Sequence, residues 1–413
     1  MLEKDVAIIR QLAQQVAEIA SLPIQEKTRN QWIKLNGLRP ERSMFLVDEI
    51  PWHEMNVNDE LTLRCENPFY RELETNLRRQ LYRWNHIQDD FAYEPVIYVP
   101  MAIKGLNHGL ENDEETIEQG EGNAIQAHHY KDQLQTEEDL EKIKVPNIWL
   151  DVDENNRRQE LARQALEGIL EVVMDGPEFE FRPWDKLVEW RGFSNLFDDI
   201  ADRPEFIHQA VDRIVNTYLA TLDILENNGW LMRQRQIVHC TGGWTDELPK
   251  PGYDPAKPRT IDCWTYGMAQ ILYMVSPEMH DEFEFQYAPK WYGRFGLGYY
   301  GCCEPLDDRI EKVLTIPNIR KISVSAWVKK HEHMAEVMDK KYVFSNKPSP
   351  ACLVGTWDPE GIETHLKDLL NASEKFGCPS EFTLKDISTV GHKPHLITEW
   401  SKIMRKVIDE RFG

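Results

Sequence analysis

Tyr299-Tyr300-Gly301-Cys302-Cys303-Glu304 decides the reading of this chain. Just upstream, Gly296 to Cys302 has the apolar and aromatic content of a buried strand. Downstream, Ile310, Val313 and Leu314 have helical spacing. Strands alternating with helices build a parallel sheet, and its chemistry gathers at the C-terminal ends of the strands. Two thiols and a carboxylate at such an end mark a candidate site. Soft thiolates there suit a metal, most simply zinc.

Working outward, the same alternation recurs on both sides. Strands are predicted over 95–100, 236–240, 260–264, 296–302, 321–325, 342–346 and 382–387. Helices are predicted over 71–86, 155–174, 201–227, 279–294, 310–314, 362–376 and 395–412. Thr136 to Leu140 carries N-cap chemistry and starts a short helix. Residues 179–190 read as a strand-like or looped aromatic stretch, and 106–135 as a long polar loop. Val6, Ile9, Leu12 and Val16 lie on one helical face, and residues 1–60 read as a helical N-terminal extension. The pattern over 61–413 favours an α/β fold, a closed (β/α)8 TIM barrel.

Composition excludes several functions. With 48 basic and 70 acidic residues the net charge is −22, which argues against a nucleic-acid or anionic-membrane binder. No apolar run of membrane-spanning length and no signal-peptide pattern is present. The seven cysteines are odd in number and scattered, so they do not read as a disulfide framework, and the expected home is the cytoplasm. No P-loop, GxGxxG or GxSxG occurs.

Three predicted strands end in potential ligands: His239-Cys240, Cys263, and Cys302-Cys303-Glu304. A catalytic zinc needs three protein ligands and an open position, which His239, Cys263 and Cys303 can supply. Against that stands the tendency of free cysteine to serve as a small core residue. Asp262 and Glu304 are candidate proton-transfer groups; their ordinary roles would be a salt bridge and a helix N-terminal carboxylate. Trp264, Tyr266, Tyr299, Tyr300 and Trp327 lie at or near strand ends and can line a flat pocket for an aromatic ligand. His392 is a reserve ligand. His128, His129, His331 and His333 read as surface residues.

Several stretches, in order, resemble the uroporphyrinogen decarboxylase-like superfamily, which includes corrinoid-linked methyltransferases and cobalamin-independent methionine synthase. They are Thr136-Glu137-Glu138-Asp139-Leu140 through Pro146, Asp202-Arg203-Pro204-Glu205-Phe206, Ile261-Asp262-Cys263-Trp264 with Val275-Ser276-Pro277-Glu278, and the 299–304 run. The resemblance runs from about Asn67 to the C-terminus. It implies a (β/α)8 barrel and a homodimer. The Arg-rich N-terminal segment of the decarboxylases is missing. Gly301 stands where the methyltransferases place a histidine ahead of the cysteine, and Ser388 or Thr389 where they place a late cysteine. The resemblance therefore implies a methyltransferase. It would move a methyl group from a small methylated substrate, a methoxylated aromatic (O-demethylation), to the Co(I) of a cobalamin-type corrinoid on a partner protein. Zinc or a carboxylic acid would activate the leaving group. The alternatives are a metal-free decarboxylase acting through Asp262 and a non-catalytic ligand-binding barrel.

Overall fold

The computed structural model describes residues 2–118, 126–233 and 236–413. Part of the loop expected over 106–135 lies outside the described residues. Nine parallel strands carry the fold: β1 (Met44–Val47), β2 (Val96–Pro100), β3 (Glu171–Asp175), β4 (Glu180–Phe181), β5 (Trp264–Gly267), β6 (Leu297–Tyr300), β7 (Ile319–Val324), β8 (Val343–Asn346) and β9 (Ser380–Leu384). Seven form one sheet in the order β1-β9-β8-β7-β6-β5-β4, while β2 and β3 pair with each other. Among the described residues no ladder joins the β2·β3 pair to β1 or β4. The architecture is α/β with a seven-stranded parallel sheet, and hydrogen-bonded closure into the expected barrel is not seen.

Side-chain alternation along the strands explains the layers. In β1 and β9, Phe45, Val47, Phe382 and Leu384 pack under Trp400, Leu366 and Leu370 of the two C-terminal helices, Pro359–Glu374 and His395–Phe412. The opposite face is also buried, yet it is polar: Lys321 and Ser323 of β7, Ser345 of β8, and Glu381 and Thr383 of β9. Such groups survive burial only when paired. The Lys321 ammonium donates to Glu381 (2.8 Å), to the Thr241 hydroxyl (2.8 Å) and to the Gly242 carbonyl (2.7 Å).

The segment around Thr241 runs along this inner face. It was expected as a strand over 236–240, but it has only an isolated bridge, Ile237 to Gly242. Its backbone turns to serve the inner lysines and the helix Pro23–Asn36. Lys347 donates to the Cys240 carbonyl (2.8 Å), and the Asn36 amide donates to the Gly242 and Trp244 carbonyls. Gly242 must be glycine, because a Cβ there would lie 2.6 Å from the Trp32 ring.

Three further expectations change. Residues 1–60 do contain two long helices, but Met44–Val47 pairs with β9 and is a strand of the main sheet. The helix expected over 155–174 spans Val152–Leu166; the chain then turns through Gly168 (φ 78°), and Glu171–Asp175 becomes β3. The stretch 179–190 is a two-residue strand followed by the helix Pro183–Arg191.

Candidate functional site

The C-terminal ends of β1, β6, β8 and β9 and the 239–240 segment meet at one cluster of thiols, lysines and carboxylates. In α/β sheets this is where ligands bind. β6 ends at Tyr300, and Gly301 then takes φ 92°. A regular strand would send Cys302 and Cys303 to opposite faces. The turn at Gly301 instead brings their sulfurs to 3.5 Å. Glu304 fixes the turn from behind: its Oε2 accepts from the Cys302 amide (2.9 Å) and its Oε1 from Ala269 (3.4 Å).

One ammonium organises the thiols. Lys385, directly after β9 and 2 % exposed, places Nζ 3.3 Å from Cys302 Sγ and 3.7 Å from Cys303 Sγ. The same Nζ is 3.0 Å from Asp386 and 3.8 Å from Glu49. Burial disfavours its charge, but the Cys302 thiolate and the Glu49 carboxylate outweigh burial and hold Lys385 protonated. Cys303 sits 3.3 Å from an Asp386 oxygen, and the Cys240 thiol donates to Glu49 at 3.3 Å.

The two adjacent thiols divide their roles. A hydrogen bond from Cys303, followed by His239 and Lys385, overcomes burial and lowers the Cys302 pKa to about 4. Cys302 is therefore a thiolate at neutral pH, the nucleophilic form. Cys303 moves the opposite way, because of its hydrogen bond with Cys302, its partial burial and the charges of Cys302 and Asp386, between which its single proton is shared. Burial and the Cys302 charge also raise Glu304 to about 7.

The backbone around the cluster is strained. Glu49 (φ 48°), His239 (39°), Cys240 (58°) and Asp386 (56°) are four of the ten non-glycine residues described with positive φ. Such conformations persist where surrounding contacts enforce them, and they gather at functional sites. Here the Asp386 amide donates to Glu49 (2.8 Å), and the His239 ring stacks on Tyr266 at 4.5 Å.

A cavity of about 610 Å³ lies beside β4, in the loops that follow β2 and β3. His108, Glu180, Arg182, Trp190, Tyr218 and Trp291 are among its walls. Its size suits a small organic ligand. It is linked to the cluster by the Tyr266 hydroxyl, which donates to Glu180 (2.6 Å), and by the His239 ring stacked on Tyr266.

The expected site residues separate into several places. Cys303 and His239 lie at the cluster. Cys263 does not: it precedes β5 instead of ending it, so it lies at the opposite end of the sheet, and its thiol donates to the carbonyls of Met232 (3.2 Å) and Arg259 (3.5 Å). Burial raises its pKa to about 12. The triad His239, Cys263 and Cys303 therefore does not fit zinc, and among the described residues no three His, Cys, Asp or Glu side chains converge as a metal site. Asp262 shares the far end, where Arg259 grips both its oxygens at 2.8 Å. Glu304 is near the cluster but 3 % exposed and turned to backbone amides.

The aromatic slot does not form as expected. Tyr299 and Tyr300 project from opposite faces of β6; Tyr300 lies by His280 and Glu284 in the outer layer. Trp264 donates to Gly243 at the start of β5, deep on the inner face. Trp327 is 70 % exposed. Tyr266 alone connects the cluster to the cavity. Lys385, Lys347, Asp386 and Glu49 were missed. The signal for the two lysines was a polar residue at every second position of buried strands, Lys321-x-Ser323-x-Ser325, Ser345-x-Lys347 and Glu381-x-Thr383-x-Lys385, whereas Asp386 and Glu49 carried no such signal.

No protein-family model matches the chain, and neither does any curated protein. Among solved structures, a methyltransferase from Methanosarcina mazei has the same fold, with a TM-score of 0.55 at 11 % identity. The match covers 94 % of this chain and 99 % of that one. Among the described residues no helix is long and apolar enough to cross a membrane.

Proposed function

We propose that this chain is a methyltransferase that moves a methyl group from a small methylated substrate, a methoxylated aromatic, to the Co(I) corrinoid of a partner protein. The end-to-end likeness in fold to a methyltransferase carries this reading. The cavity beside β4 suits an aromatic ring, with Trp190, Tyr218 and Trp291 in its walls. Tyr273, Met274, Trp327 and Val354 are exposed on the segments that follow the C-terminal ends of β5, β7 and β8, the first two in the 3-10 helix Gln270–Met274. Apolar side chains around a mouth favour docking of a second protein.

Transfer of a methyl group from an aryl ether leaves a phenolate, which needs positive charge or a proton. Lys385 is the cation at the cluster, kept protonated by its anionic neighbours. It takes the charge-stabilising role that the resemblance gives to zinc. His239 and Tyr266 orient the bound ring, and Glu304 holds the turn that presents the thiols. The decarboxylase alternative needed Asp262 at the mouth, and Asp262 is locked to Arg259 at the other end.

The test is to supply the protein with cob(I)alamin and a panel of methoxybenzoates, following loss of the Co(I) absorbance and release of the phenol. Transfer by the wild type, reduced about 100-fold by Lys385→Met, is the expected result. If methoxylated aromatics, methylamines and methyl thioethers all fail to transfer, the reading is wrong.

A further inference from the structure

Cys302 and Cys303 are adjacent in sequence, share one ammonium and lie at the solvent edge of the cluster. Cys303 is half-buried, and Cys302 lies behind it at 5 % exposure. We propose that this pair is a peroxide-sensitive dithiol that closes reversibly into a vicinal disulfide. The inference does not depend on methyl transfer.

The geometry favours this pairing over others. The sulfurs are 3.5 Å apart, against ~2.05 Å in a disulfide, so closure needs a movement of roughly 1.5 Å. Gly301, with its positive φ, gives the turn freedom to supply that movement. Cys240, the other thiol near Lys385, is committed to Glu49. The remaining cysteines, Cys65, Cys263, Cys352 and Cys378, each donate to a backbone carbonyl away from the cluster: Cys65 to Asp5, Cys263 to Met232, Cys352 to Ser349 and Cys378 to Asp339.

The chemistry balances with a hydroperoxide as the named oxidant. The Cys302 thiolate attacks the distal peroxide oxygen. The O–O bond breaks, Cys302 becomes the sulfenic acid, and the leaving hydroxide or alkoxide takes a proton from solvent. The Cys303 sulfur then attacks the Cys302 sulfur, the S–O bond breaks, and the hydroxyl leaves as water with the Cys303 proton. The two sulfurs lose two electrons and the peroxide gains them. Lys385 assists both stages by holding Cys302 as the anion and by facing the departing oxygen. Adjacent residues have Cα atoms ~3.8 Å apart across a trans peptide, below the usual ~4.4–6.8 Å for a disulfide. The ring is therefore strained and readily reduced, as a reversible switch requires. Closure removes the thiolate beside Lys385 and leaves that ammonium to Asp386 and Glu49.

Trypsin gives a direct readout, because the peptide Phe295–Arg309 contains both cysteines and no other. The full-length protein is treated with a small excess of hydrogen peroxide, quenched, digested and weighed. The expected result is a peptide lighter by two hydrogens, restored by dithiothreitol. In Cys303→Ser the peptide instead carries a dimedone-trapped sulfenic acid at Cys302. In Lys385→Met closure slows by about tenfold or more at neutral pH. A second variant, Cys240→Ala, closes as the wild type does. Cys302 oxidised to sulfinic acid without a bridge, a bridge to Cys240, or no reaction at the pair would each overturn the proposal.

Discussion

Removing either partner of the buried Lys321–Glu381 pair will destabilise the protein and disturb the site above it. Both side chains are fully buried, and the bridge is 2.8 Å long. The two charges are not equally content. Glu381 is held below the usual carboxylate range, since Lys321 and Lys347 outweigh its burial. Lys321 is lowered to about 8 by burial, with one carboxylate for it and two other cations, Lys347 and Arg320, against it. The inner face thus carries more positive than negative charge, and Glu381 is the group it can least lose. Breaking a buried pair by removing one partner costs about 3–5 kcal/mol. We place Glu381→Leu at the upper end, because it leaves Lys321 and Lys347 facing each other, and Lys321→Met at the lower. An unfolding entropy of about 2.1 cal/mol/K per residue gives roughly 0.9 kcal/mol/K for 413 residues. A loss of about 4 kcal/mol then lowers Tm by about 4–5 °C.

The double variant Lys321→Met/Glu381→Leu separates pairing from packing. It removes both charges, leaves Lys347 without the Glu381 carboxylate but spares it the facing Lys321, and leaves the Thr241 and Ser345 hydroxyls and the Gly242 carbonyl without these partners, each hydrogen bond worth about 1 kcal/mol. It should therefore cost less than Glu381→Leu alone. Urea denaturation of the three variants measures this, and iodoacetamide labelling of Cys302 reads the site, since Thr241 and Gly242 hold the segment that presents His239 and Cys240. Single variants that cost under about 1 kcal/mol, or a double variant that costs the sum of the singles, would refute the reasoning.

Three further outcomes follow from the cluster. With its pKa near 4, Cys302 will react with iodoacetamide at a nearly constant rate from about pH 6 to 8, whereas an ordinary thiol slows about tenfold per pH unit below ~8.5; a log-linear fall across that range would contradict the assignment. Glu304, raised to about 7 from an ordinary value of 4.5, binds its proton more tightly folded than unfolded, so its contribution is full below about 4.5 and is lost as pH rises to 7. Glu304→Gln should flatten that slope and exceed the wild type at pH 8 by up to about 3 kcal/mol, measured by denaturation at several pH values; an unchanged slope would remove Glu304 as its source. Gly301→Ala meets a positive φ and would bring Cβ within 2.8 Å of Leu306, so a loss of about 1–3 kcal/mol and a slower Cys302 reaction are expected, and a neutral substitution would mean that the turn is not what joins the thiols.

Much of the α/β fold was legible because helical and strand periods alternate clearly after Pro95. The errors were local and had physical causes. Met44-Phe45-Leu46-Val47 is a four-residue apolar run, too short for periodicity to distinguish strand from helix, so β1 passed as part of the extension. Placing a strand over 260–264 instead of 264–267 is a small shift along the chain, but in a parallel sheet it moves Cys263 and Asp262 from the reactive end to the opposite one. The thiols at 302–303 stood out because cysteine pairs are chemically distinctive. The lysines that govern them did not, because each lies in a different strand and only the sheet brings them together.

In the proposed function the Lys385 ammonium stands where the resemblance implies zinc, and that proposal has a consequence that can be counted. Zinc bound to two thiolates holds both deprotonated, because a metal ligand must give up its proton. A lysine carries one positive charge and can stabilise one thiolate fully; the second thiol then faces an anion and keeps its proton. The opposite directions in which their surroundings push Cys302 and Cys303, down and up, agree with that division. The carboxylates of Asp386 and Glu49 reinforce it, since they already share the Lys385 charge. Thiolate ultraviolet absorbance at neutral pH should therefore count one thiolate per chain, lost in Cys302→Ala and retained in Cys263→Ala. Two thiolates that vanish together on chelation would instead mean that a metal displaces Lys385 from between the sulfurs.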